Sequence, residues 1–131
     1  MFKSILAVAV GFILVGILAL SANFAVFSAA PPAYDAKGRT ENLVVLLLAL
    51  LYTPAFGAVG GYVTARLAPR NPPRHALVLG IVGLVFSVPV VMAKWNDAPA
   101  WYHIVSLLTI VPAACLGGSW RARQMPVGKR P

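Results

Sequence analysis

Apolar positions run without any formal charge through four stretches of the chain, residues 5–26, 43–65, 76–93 and 101–120. About 20 residues of helix, rising 1.5 Å each, cross the hydrocarbon core of a bilayer, so every stretch suffices and the third is the shortest. Isolated strands would leave backbone groups unpaired in lipid, which makes helix the conformation this pattern predicts. The expected architecture is therefore all-α, an integral membrane four-helix bundle. It forms a single transmembrane domain over residues 1–131, with a polar tail at 121–131.

Composition agrees with that pattern. Hydrophobic residues make up 60% of the chain and charged residues 11%, against about 25% charged in an average soluble domain. A soluble protein this small could not hide so much apolar surface. Cys115 is the single cysteine and lies inside the last apolar run, so no intrachain disulfide can form. A net charge of +8 would point to nucleic acid in a soluble protein. Here the cations flank apolar spans, which is the signature of membrane topology and gives no nucleic-acid partner.

The flanks also set a direction. Lys3, Arg66, Arg70, Arg74, Arg121, Arg123, Lys129 and Arg130 fall on one side of the four spans, and Lys37, Arg39 and Lys94 on the other. Asp35, Glu41 and Asp97, the only acids, join that second side and bring it close to neutral. The positive-inside rule then places both termini and the loop ARLAPRNPPRH in the cytoplasm of a bacterium, with the spans in its inner membrane. Trp95, Trp101 and Tyr102 would form an outer aromatic belt, with Trp120 and Tyr62 at the inner boundary. The alternative for the first span is a secretory signal peptide, since SANFAVFSAA offers small residues for cleavage. Cleavage would leave three spans in the same orientation, and intact mass would decide.

One phrase occurs twice. GGYVTAR at 60–66 and GGSWRAR at 117–123 share Gly-Gly-x-x-x-Ala-Arg, 57 residues apart. Glycine pairs weaken a helix in water but let helix backbones approach closely in a bilayer. Gly57 and Gly61 form a GxxxG step, and Ala113 with Gly117 and Ala114 with Gly118 form related steps. Ala7 with Gly11, Ala76 with Gly80 and Gly83 with Ser87 supply matching faces on the first and third spans. The expected helix-packing set is Gly57, Gly60, Gly61, Gly80, Gly117 and Gly118. Arg66 and Arg123 end each phrase near the interface, where they can snorkel to phosphates. The repetition also admits two duplicated hairpins related by an axis along the membrane normal.

Candidate chemistry is sparse. Pro54, Pro89 and Pro112 lie well inside spans with Thr53, Ser87 and Thr109 nearby. Broken helices meeting at midplane can form a solute site, and prolines equally serve as plain kinks. No span carries Asp, Glu, Lys, Arg or His away from its ends, which argues against proton coupling and against hydrolysis by paired carboxylates. His75 and His103 are expected on opposite faces, so neither a metal site nor a bound cofactor is expected from them. Cys115, in apolar surroundings, reads as a packing residue. The stiff Pro-rich loop displays Arg66, Arg70 and Arg74, and with Arg121 and Arg123 it forms a surface suited to anionic phospholipids.

The chain has four short spans, as small multidrug transporters do, but lacks the embedded glutamate of their first helix. The filter residues of fluoride channels of similar size have no counterparts here. GGYVTARLAP, PPRHALVLG and PAACLGGSWRAR resemble the pattern of small four-span bacterial inner-membrane proteins of unknown function. That resemblance implies a fold and no catalytic residues. The sequence thus points to a non-enzymatic membrane protein acting by helix packing with itself, with lipid or with a membrane-protein partner. The alternative is a small oligomeric transporter or channel for a neutral or weakly polar solute.

Overall fold

A computed structural model describes residues 2–126 of the chain. Four helices account for most of it: α1 (Phe2–Ala29), α2 (Leu43–Leu67), α3 (Pro72–Ala93) and α4 (Ala100–Arg123). Each is long and apolar enough to cross a membrane. Short 3-10 turns, Pro31–Ala33 and Trp95–Asp97, bridge α1 to α2 and α3 to α4.

Local chemistry fixes the helix ends. Asn42 caps α2, its Oδ1 accepting from the backbone N–H groups of Val44 and Val45 at 3.0 and 3.3 Å. The turn into α3 passes through Asn71 at φ 47°, a left-handed conformation that asparagine tolerates. Pro72 and Pro73 then occupy the first helical turn, where a missing N–H costs nothing. This starts α3 four residues before the apolar run does. Likewise α1 outruns its apolar stretch at both ends, and its 28 residues measure about 42 Å.

The interior inverts the order of a soluble bundle. The buried hydrophobic residues are mostly alanine (Ala7, Ala49, Ala65, Ala76, Ala113 and Ala114), with Val45, Leu46 and Leu79. Large side chains such as Ile5, Leu51, Phe86, Leu108 and Leu116 point outward from all four helices. Such a surface is stable in lipid and would aggregate in water. The protein is a multi-pass membrane bundle.

Helix α2 is the hub. It packs on α1, on α3 and most extensively on α4, and α3 packs closely on α4. Helices α1 and α4 occupy opposite corners and barely meet. The cross-section is therefore a rhombus with α2 and α3 on its short diagonal. A two-fold axis exchanging the hairpins would map the α2–α3 contact onto an α1–α4 contact, so the packing does not follow such an axis. One end of the bundle, the basic end, carries Lys3, Arg66, Arg70, Arg74, Arg121 and Arg123. The opposite, acidic end carries Asp35, Glu41 and Asp97.

Candidate functional site

The repeated phrase builds the centre of the molecule. Adjacent helix positions point about 100° apart, so two consecutive glycines can serve two different neighbours. Gly61 lies against the backbone of Ala114, and a Cβ there would come within 2.8 Å of the Ala114 carbonyl carbon. Gly117 answers from α4: a Cβ there would come within 2.7 Å of the Ala58 carbonyl carbon and 2.8 Å of the Tyr62 nitrogen. No L side chain fits at either position without moving a backbone.

The other glycine of each pair looks elsewhere. Gly60 faces Val15 and Gly11 on α1, whereas Gly118 faces Ala76 on α3. So the first glycine meets the hairpin partner in one copy and the second glycine does so in the other. Gly80 packs on Val111 and Ala114, and Gly57 lies tightly against Ala113, where an added Cβ would come within 3.2 Å. All six glycines of the expected packing set therefore engage helices of the same chain. Thr64, fully buried, fills the space left by Gly11 and donates from Oγ1 to the Ala7 carbonyl at 3.3 Å. Its hydroxyl is a seam residue that apolar periodicity could not reveal.

The midplane candidates are arranged differently. Helices α2, α3 and α4 continue unbroken through Pro54, Pro89 and Pro112. Pro89 and Pro112 are exposed on the outside of the bundle, and Pro54, Thr53 and Ser87 are half-buried. Thr109 donates to the Ser106 carbonyl of its own helix at 2.8 Å. Neither the recess at the acidic end nor the one between α1 and α3 includes any of these six residues.

At the acidic end the two inter-helix loops are tied together. Thr40 N–H donates to the Asp97 carbonyl at 2.9 Å, and Thr40 Oγ1 to the Ala33 carbonyl at 2.8 Å. Asp35 Oδ1 accepts from the N–H groups of Arg39 and Lys37, both at 2.8 Å, and these bonds hold its carboxyl below the ordinary range. Desolvation pushes the Tyr34 hydroxyl upward. Tyr34, Asp35, Glu41, Trp95 and Asp97 border an open recess of about 710 Å³. Arg39 and Lys94 neutralise two of its acids, at 4.0 Å from Asp35 and 3.8 Å from Asp97. Beside it, buried His103 stacks on Trp95 at 5.3 Å and meets the edge of Tyr102 at 5.6 Å, with Nε2 unpaired.

At the basic end Arg66, Arg70, Arg74 and Arg123 are exposed and Arg121 is half-buried. Tyr62 donates to Gln124 Oε1 at 2.8 Å, fastening α2 to the end of α4. His75 belongs to this end and His103 to the other, so the two cannot share a ligand within one chain. A second recess, of about 400 Å³ and apolar, runs between α1 and α3. Sequence reasoning missed it, because its walls are 70 residues apart and carry no shared motif. Comparison with protein families, with curated proteins and with solved structures finds no match to this chain.

Proposed function

We propose that this protein is a non-enzymatic component of a bacterial inner membrane, with both termini in the cytoplasm. It presents a rigid apolar bundle and its basic end to lipid and to other membrane proteins. The observation that carries this reading is the backbone-to-backbone seam of Gly61 on Ala114 and Gly117 on Ala58. Because the small-residue faces are engaged inside one chain, they are not left for a second copy. What remains outside is bulky apolar surface and a cluster of cations. Those are the complements of acyl chains and anionic headgroups. A neutral-solute conduit is less well supported, since Pro89 and Pro112 face away from any shared interior. Solute flux lost on replacing Thr53 or Thr109 would restore that reading.

The test begins with the seam. Gly61→Leu and Gly118→Leu should each lower stability by about 1–3 kcal/mol or more, as overpacking does. Thermal melting in mild detergent and the fraction of folded chain would report it, and unchanged values would sink the proposal. The second arm is binding of the reconstituted wild-type chain to phosphatidylglycerol over phosphatidylcholine. This preference should weaken with salt.

A further inference from the structure

The recess between α1 and α3 has the form of a slot one leaflet deep. Ser4, Val8 and Phe12 line it from α1, and His75, Val78 and Val82 from α3. Both helices begin at the basic end, so these two rows run parallel from the interface inward. From Ser4 to Phe12 is about 12 Å of helix, close to the roughly 15 Å hydrocarbon depth of one leaflet. The Phe12 and Phe86 rings meet at 5.2 Å and close the deep end. The wall of the slot is wholly apolar, and Ser4 and His75, the two lining residues that carry polar side chains, stand at its mouth. His75 Nδ1 donates to the Asn71 carbonyl at 3.2 Å, which leaves Nε2 as the ring's remaining polar atom.

Lys3 and Arg74 immediately precede these mouth residues. Both are exposed, and neither has an ion-pair partner among the described residues. An occupant apolar along its length and anionic at one end would match this slot and the two cations at the same end of the bundle. Size narrows it further. A helix about 10 Å across would fill roughly 900 Å³ over this length, more than twice the 400 Å³ present. We propose that the slot seats one acyl chain of an anionic glycerophospholipid, with Lys3 and Arg74 on its phosphate and Ser4 and His75 at glycerol depth. This deepens the function proposed above and rests on its assignment of the basic end to anionic lipid.

The experiment is native mass spectrometry of the full chain with phosphatidylglycerol or phosphatidylethanolamine, paired with vesicle binding. The wild-type chain should retain one phosphatidylglycerol in preference. Ala9→Phe with Val78→Phe, which fills the slot from both lipid-exposed walls, should abolish that adduct without changing the melting temperature. Lys3→Gln and Arg74→Gln should each reduce the preference about fivefold, the equivalent of one cation at an anionic surface. An unchanged adduct in the filled variant would overturn the slot, while persisting salt-sensitive vesicle binding would leave the broader reading standing. Loss of any preference in the wild-type chain would remove both. A changed subunit count in the filled variant would mean that a second copy, and not lipid, occupies the slot.

If the filled variant does not fold, a fluorophore reads the same site. It would be placed at Ala9→Cys in a Cys115→Ser chain and challenged with brominated phosphatidylglycerol. Quenching should saturate at one lipid per chain and exceed that at Leu108→Cys, on the open face of α4. Equal quenching at both positions would reject the proposal.

Discussion

Thr64 and Gly11 show how little room the α1–α2 interface leaves. A Cβ on Gly11 would run into Thr64 Oγ1 and sit 3.0 Å from the Gly60 carbonyl. Gly11→Ala alone should cost about 1–3 kcal/mol through overpacking. Adding Thr64→Ala removes the first collision, so the double variant should be more stable than additivity allows, by at least about 0.5 kcal/mol. A double-mutant cycle of melting in detergent checks this, and strict additivity would place the two residues out of contact. Asp35 makes a different kind of prediction. Its lowered carboxyl pKa reflects backbone N–H donation from Arg39 and Lys37 in the folded loop. A depressed folded value means that the loop gains stability above the unfolded carboxyl pKa of about 3.9. That gain is lost as pH falls from there through the folded value. The Asp35 carboxyl resonance should titrate below 3.9, with the Lys37 and Arg39 amides shifting at the same midpoint. A midpoint at or above the free value would contradict these hydrogen bonds.

At the level of the helices, α1 is bound into the structure through Gly11, Thr64 and the carbonyl of Ala7. A chain lacking residues 1–29 would bare Thr64 and Gly60 to lipid. It should melt lower and bind detergent differently from the intact protein, and a truncated chain that melts identically would make α1 dispensable. This bears directly on the signal-peptide alternative, which removes the same residues. The helices themselves were legible as charge-free runs, because lipid forbids nearly everything else over 20 residues. Their ends shifted where local chemistry decided, as at Pro72, whose fixed φ suits a first helical turn. The glycine pairs were legible as close-packing sites, yet their partners were not. Position along a helix gives an angle, and only the arrangement of neighbours says what lies at that angle. Gly60 and Gly118 meet the hairpin partner while Gly61 and Gly117 cross between hairpins, a swap that no motif encodes. The prolines show the same limit: Pro54 and Pro112 match in sequence context but differ in exposure.

Across the whole molecule, charge and packing divide the labour. Packing makes the bundle without a single ionic contact between its helices among the described residues, the ion pairs being local, at i,i+4 and i,i+3. Charge is left to distinguish the two ends. Six of the eleven cations stand at the basic end among the described residues, Lys129 and Arg130 lying outside them, and all three acids stand at the other end. The acidic end is thus near neutral, while the described basic end carries six cations and no acid. Translocating the basic end would move every one of those cations across the hydrocarbon core, so retention on the cytoplasmic side is the expected outcome. The prediction is tested with single cysteines in a Cys115→Ser chain, at Gln124 and Asn71 on one end and at Asn96 on the other. In intact spheroplasts a membrane-impermeant maleimide should label Asn96→Cys, and it should reach Gln124→Cys and Asn71→Cys only after lysis. Labelling of Gln124→Cys from outside would invert the bundle. The basic end would then face a leaflet whose anionic lipid it could not have been matched to by the positive-inside rule, and the slot between α1 and α3 would draw its lipid from the other side.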